Sequence, residues 1–297
     1  MEPMVSVVIP TYKRADMLPR AIGSVLTQTY KNIQVIVVDD NNPDSEYRIR
    51  TAEIMHQFDD DFRVKYVRHE KNMNGSVARN TGIKNADGEI VAFLDDDDFF
   101  YHDKIEKQVE YLLLHPEFRA VYCGWNRDGE KVIPTDEGDL SYNILSGDHI
   151  IYTNVIMMWK KDAIECGGWD ETFQRHQEAA FLLRYFRNNG KIGVVKEVLV
   201  EIDTSDRTNA AANSKKNEMQ TMHYLISYQD MINRCEQIKK GSKKAIYTHR
   251  YRGMFFSYIK GRDITGAISF YFRKGLRYPF AFNTCLIKYA LRKCCKK

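Results

Sequence analysis

"EIVAFLDDDD" occupies residues 89 to 98: five apolar residues, Ile90 to Leu94, run directly into four carboxylates, with Phe99 and Phe100 behind them. A short unbroken apolar run predicts a strand covered on both faces, and the aspartates then sit at its carboxyl end. The same unit recurs upstream. "VSVVIP" (residues 5–10) is an apolar strand ended by Pro10, and "ADMLPRAIGSVLTQTY" (15–30) places Leu18, Ile22, Val25 and Leu26 at helical spacing behind an Asp16 cap. "IQVIVVDD" (33–40) predicts a second strand, 44–58 a helix, "RVKYV" (63–67) a third strand, and "GSVARNTGIKNA" (75–86) a helix opened by Gly75 and Ser76. Strands alternating with helices imply an α/β domain, Rossmann-like, with a mostly parallel sheet and helices on both faces.

In such sheets ligands bind beyond the carboxyl ends of the strands. Pro10-Thr11-Tyr12, Asp39-Asp40-Asn41 and Asp95 to Asp98 all fall at predicted strand ends, so one sheet edge collects six aspartates. An isolated run of aspartates is usually a solvated turn or a set of helix caps. Delivered to the rim of a core, crowded carboxylates instead raise one another's pKa or require a cation. Oxygen ligands with no His or Cys beside them suit Mg²⁺ or Mn²⁺, which takes substrate phosphates as further ligands. No GxxxxGK[ST] and no GxGxxG occurs, so phosphate binding falls to the metal.

Composition divides the 297 residues. From Ala210 onward there are 19 Lys+Arg against 4 Asp+Glu, or +15, while residues 1–209 carry −11 within a net +4. Two regions follow, 1–209 and 210–297, with different partners. Six cysteines show no CxxC pair and no zinc spacing, which predicts reduced thiols. No window reaches ~18 consecutive apolar residues, and "MEPMVSVVIP" has no basic, then hydrophobic, leader pattern. The expectation is a cytoplasmic protein, neither exported nor membrane-spanning.

Taken in order, "VSVVIPTYKR", "SVLTQTYKNIQVIVVDDNNPD", "GSVARNTGIKNADGEIVAFLDDDD", "DKIEKQVEYL", "CGGWDETFQRHQEAAFLLRYF" and "VLVEIDTSDR" resemble the inverting family 2 glycosyltransferases of bacterial surface-polysaccharide assembly. The likeness covers about residues 4 to 207 and implies a GT-A fold. It implies that Pro10, Thr11 and Tyr12 pack against the uracil of a UDP-sugar, that Asp40 accepts a hydrogen bond from the base, and that Asp39 faces the fold. The family's DxD motif falls on Asp95 and Asp97. Asp97, with Asp95, is expected to hold Mn²⁺ or Mg²⁺, and Asp95 or Asp96 to meet the ribose hydroxyls or support the ligands. Arg79 and Asn80 match a helix that contacts the donor, or else are a surface arginine and a cap-like asparagine.

Inversion needs a carboxylate to take the acceptor hydroxyl's proton while that oxygen attacks C1 opposite the departing UDP. The resemblance puts this base at Glu178, where relatives more often carry Asp. It opens a helix whose Phe181, Leu182 and Tyr185 would hold it against the core. A first-turn helix acid is the plain alternative. His176 reads as a supporting or capping residue. In "GGWDE" (167–171), Trp169 offers a face for sugar stacking and Asp170 a hydroxyl acceptor, or Trp169 is buried. Arg207, within "TSDRTN", is a candidate diphosphate clamp on a lid.

The basic region mixes Lys/Arg with Phe, Tyr, Ile and Leu over helical stretches broken by Gly261, Gly266, Gly275 and Pro279. That suits the anionic inner face of a membrane and a lipid-linked or other glycan acceptor, or a helical subdomain whose aromatics pack internally or across a homodimer. No nucleic-acid motif is present. Two other classes remain: a sugar-phosphate nucleotidyltransferase, which should carry a Gly-rich basic loop where this chain has "PTYKRAD", and a non-catalytic nucleotide-sugar-binding scaffold.

Overall fold

A computed structural model of the chain describes residues 2–205 and 213–294. In chain order its elements are β1 (Val5–Thr11), α1 (Leu18–Leu26), β2 (Ile33–Asp39), α2 (Glu46–Met55), β3 (Val64–Arg68), α3 (Gly75–Asn85), β4 (Ile90–Phe93), β5 (Phe99–Phe100), α4 (Lys104–Leu114), β6 (Ala120–Arg127) and β7 (Glu130–Val132). There follow α5 (Ser141–Ser146), β8 (Met157–Trp159), α6 (Lys160–Glu165), α7 (Gln177–Arg187), β9 (Ile192–Ile202), α8 (Ser214–Ser227), α9 (Gln229–Ile238), α10 (Ser242–Lys260), α11 (Ile264–Arg273) and α12 (Pro279–Cys294). The chain divides into two compact units, Met1–Leu140 with Ile151–Arg207, and Ser141–Ile150 with Thr208–Lys297.

The first unit is built on one sheet of order β3-β2-β1-β4-β8-β6-β9-β5, with β7 paired to β6. It is parallel from β3 through β4, and it becomes mixed beyond, where β8 runs antiparallel to both β4 and β6. Every side chain of β4 is buried, as the unbroken apolar run requires of a strand covered on both faces. Thr11 registers with Asp39 across β1 and β2, and the Leu94 amide donates to the Val8 carbonyl, so three strand ends meet at one edge. α3 lies close on β1: a Cβ added at Gly82 would come within 2.1 Å of Val8 Cγ1.

Two caps differ from expectation. Asp16 lies in a 3-10 turn, caps nothing, and pairs with Arg50 at 3.2 Å. α1 begins instead with Pro19 in its first turn, where a missing N–H costs nothing. The cap of α3 is Asn74, in the left-handed region at φ 85°, whose side chain accepts from the Ser76 and Val77 amides.

The second unit is helical. Tyr251 of α10 meets Phe270 of α11 edge-on at 5.8 Å, and Tyr258, Phe270 and Phe282 are at most 2% exposed. Tyr258 donates to Glu218, which also takes a fork from Arg273 at 3.0 and 3.1 Å. Many of the region's aromatics are therefore its core. Cys123, Cys166, Cys235 and Cys285 are free thiols.

Candidate active site

The tetrad alternates. Asp96 and Asp98 are 4% and 3% exposed and turn inward, whereas the side chains of Asp95 and Asp97 keep 33% and 15% of their surface. Asp96 accepts from Thr11 Oγ1 at 2.7 Å, which ties the tetrad to the end of β1. Burial pushes the Asp96 carboxyl up to about 7, against the pull of the Thr11 hydroxyl. Burial, then the charges of Asp95 and Asp97, push Asp98 up to about 9. Asn154 donates to Asp98 and accepts from the Asp95 amide.

Two arginines meet the outward carboxylates. Arg14 Nη1 lies 2.8 Å from Asp97 and 3.4 Å from Asp96. Arg79 Nη2 donates to Asp95 at 2.6 Å, its Nη1 to Gln177 Oε1 at 2.9 Å, and its guanidinium lies 4.8 Å from the Trp169 ring centroid. Arg79 is 7% exposed and bridges the tetrad to the first residue of α7. Glu178 is the next residue, half-buried in the first turn, where the helix N-terminus favours a carboxylate. His176 precedes it at φ 61°.

Around this edge the loops are tightly held. Tyr12 is 40% exposed, and Lys13 Nζ lies 5.1 Å from its ring centroid and 5.3 Å from that of Tyr47. Pro10 is half-buried beside it. Asp39 is fully buried, paired with Arg48 at 2.9 Å and accepting from Tyr66 at 2.6 Å. Asp40 was expected to receive a base. In the structure it is 3% exposed and its oxygens accept from Asn72 Nδ2, the Met73 and Asn74 amides, and bond His69 Nδ1. It organises the 69–74 loop, and a base contact requires one of these donors to yield.

Trp169 corrects another expectation. The side chain is 1% exposed, stacked on Phe181 at 4.4 Å and edge-on to Phe93 at 5.0 Å. It is a core ring with no face left for a sugar. Asp170 pairs with Arg184 at 3.4 Å and accepts from Thr172 N and Oγ1, which closes the turn. Asn80 fixes that turn by donating to the Trp169 carbonyl and accepting from its amide at 2.8 Å. Arg207 lies outside the described residues. Just before it, Asp203 donates its amide to Asp98 and pairs with Arg20 at 2.7 Å. Arg20, Phe99, Asp128 and Asp203 line a cleft of about 620 Å³ beside the tetrad.

Sequence reasoning missed Arg14, Arg20, His69 and Asn154. Arg14 had a signal, a cation three residues past the end of β1 in "PTYKR"; Asn154 had none, since 59 residues separate it from the aspartate amide it meets. The donor set fits a hard cation. Asp95 and Asp97 offer oxygen only, each is paired with an arginine, and among the described residues no three His, Cys, Asp or Glu converge as a ready cage. Magnesium and manganese sites commonly use one or two carboxylates plus substrate phosphates.

The family model for glycosyl transferase family 2 matches residues 6–166. An uncharacterized glycosyltransferase of Rickettsia felis is 37% identical over 160 residues, 52% of this chain and 25% of the relative, so the chain spans a quarter of that relative's length. The putative teichuronic acid biosynthesis glycosyltransferase TuaG of Bacillus subtilis is 31% identical over 52% of this chain and 58% of its own. Among solved structures, the mannosyltransferase PcManGT from Pyrobaculum calidifontis, in complex with GDP-Man and Mn²⁺, has a TM-score of 0.60 at 17% identity, covering 100% of this chain and 88% of that one. S. aureus TarS 1-349 in complex with UDP-GlcNAc has a TM-score of 0.59 at 14% identity, covering 92% of each. The fold is thus GT-A-like α/β with a helical C-terminal region.

Proposed function

The chain belongs to glycosyl transferase family 2, and on that premise we propose that it moves a sugar from a UDP-linked donor to a hydroxyl of a glycan or lipid-linked glycan, with inversion at C1. The observation that carries this reading is the Arg79 bridge. It joins Asp95 of the tetrad to Gln177, the residue before Glu178, and so ties the start of α7 to the edge where three strand ends meet.

Each residue has a part. Tyr12 supplies the exposed ring for the base, and Asp40 holds the loop against which the base rests, or accepts from the base once a loop donor yields. Asp97 and Asp95, the two outward carboxylates, would hold a divalent cation, and such an ion would stabilise charge on the departing diphosphate. Arg14 supplies a second positive charge there, and Arg207 a third. Asp96 and Thr11 fix the tetrad's position on β1. Glu178 takes the acceptor's proton as the acceptor oxygen attacks, a step in which one O–H bond breaks and one C–O bond forms as the bond to UDP breaks. Asp170 lines the approach of the acceptor. The relative TuaG is described as acting in teichuronic acid biosynthesis, which supports a surface-polysaccharide acceptor.

A panel of UDP-, GDP- and dTDP-sugars with Mn²⁺, read by donor hydrolysis and by thermal stabilisation, tests the proposal. UDP-sugars should both raise the melting temperature and turn over. Tighter response to GDP-sugars overturns the uracil reading, and stabilisation without any turnover identifies a binding scaffold.

A further inference from the structure

The helical unit exposes a regular row of apolar side chains. On α11, Ile264, Ile268 and Phe272 recur every fourth residue and so share a face; they are 53%, 54% and 64% exposed. The same helix buries Ala267 and Phe270. Beyond the end of α11, Leu276 in the connecting 3-10 turn is 47% exposed and Phe280 in the first turn of α12 is 87% exposed. Single exposed apolar residues are ordinary on soluble proteins, but three along one helix face, with two more in the turn and helix that follow, are a concentration that calls for a covering.

Phe280 also lines a cleft of about 960 Å³ formed by α10 and α12, whose other walls carry Lys244, Arg252 and Lys288. Lys244 and Lys288 have no acidic partner among the described residues. Arg252 is held over the Tyr289 ring at 5.4 Å, with Nη1 3.6 Å from Cys285 Sγ. The acid in the lining, Asp148, is engaged with His249 at 2.9 Å. From Gly241 to Tyr289 ten Lys/Arg accompany one acid, Asp263, whose side chain caps α11.

We propose that this face docks on an anionic phospholipid bilayer: the apolar row enters the boundary between headgroups and acyl chains, and the cleft receives a lipid phosphate. Apolar residues flanked by cations are what an interfacial helix needs, since both terms of its binding add. Among the described residues no helix is long and apolar enough to cross a membrane, so the helices lie on the surface. A second copy of the chain would also cover the row, but it would bring an equally basic face against this one. A nucleic acid would match the cations and leave Ile264 and Ile268 in water. The inference is independent of the donor chemistry.

Co-sedimentation of the full chain with vesicles tests it, using phosphatidylcholine alone and phosphatidylcholine mixed with phosphatidylglycerol. Binding is expected only to the mixed vesicles, and it should weaken steeply as salt rises. Phe272→Ser and Phe280→Ser, at exposed positions that leave the melting temperature unchanged, should each weaken binding about tenfold, a loss of about 1.4 kcal/mol, as each removes an aromatic side chain from the interface. Lys244→Glu with Lys288→Glu should do the same, while donor hydrolysis in solution stays at its original rate in all three variants. Absent binding at low salt overturns the proposal, as does equal binding to neutral vesicles or undiminished binding by the serine or glutamate variants. Conversion of a dimer to a monomer by the serine variants, or displacement of the vesicles by RNA, also overturns it, in favour of a second copy or a nucleic acid.

Discussion

Asp97 pairs with Arg14, and Arg14 keeps Asp96 as a partner when Asp97 is changed. Asp97→Asn should therefore leave the melting temperature nearly unaltered and abolish metal-dependent turnover; full activity of this variant, or of the parent in EDTA, would remove the cation from the mechanism. Glu178→Gln keeps the size of the side chain and loses the base. Donor affinity by calorimetry should be retained while kcat drops by ~10²–10⁴. A third residue reports on stability. Lys104 is fully buried, donates to Gln108 at 2.6 Å and lies 4.0 Å over the Phe100 ring, and burial lowers its pKa from the ordinary 10.5 to about 8. Between those values the folded chain binds fewer protons than the unfolded one, so raising pH from about 8 toward 10 favours folding. The urea midpoint should rise across that window, and the rise should shrink in Lys104→Met. The tetrad was legible because strand position alone sends Asp95 to Asp98 to a ligand edge. The in-and-out alternation was not, since it depends on Thr11 and Asn154 arriving from distant sequence.

Helix α3 holds Arg79 in place by its seat on the sheet. Gly82 allows that seat, because any Cβ there would overlap Val8 of β1. Gly82→Ala should cost ~1–3 kcal/mol by thermal melting, as overpacking typically does, and should reduce turnover as well by lifting Arg79 away from Asp95. A loss of stability with intact turnover would show that α3 can shift without moving the bridge. Periodicity disclosed α3, its neighbours and their order, since each buries one apolar stripe. It misplaced the caps. Asn74 caps α3 from a left-handed backbone, and Asp16 was displaced from capping α1 by a preceding 3-10 turn. Trp169 was undecidable from "GGWDE", because whether an aromatic ring faces core or ligand depends on Phe93 and Phe181, which come from two other elements.

Charge separation dominates the solution behaviour of the whole chain. With −11 in residues 1–209 and +15 afterwards, the net +4 describes neither part. At pH 7 and low salt the protein should be retained by both cation and anion exchangers; passage through the anion resin would mean that the acidic side chains are engaged internally rather than presented. This asymmetry was visible by counting, as was the helical character of the basic region. The allotment of Ser141–Ile150 to the helical unit was not, because the contacts of α5 with α9 and α10 join residues about a hundred positions apart. The sheet has a history as well as a shape. β4 is flanked by β1 on one side and β8 on the other, yet β8 begins at Met157, 64 residues after β4 ends at Phe93. On a ribosome adding ~5–20 residues per second, the parallel block β1 to β4 can assemble while its outermost strand waits ~3–13 s for a partner. For that interval a wholly apolar strand presents open hydrogen-bonding groups, which makes the half-made chain, rather than the finished protein, the form most in need of a chaperone.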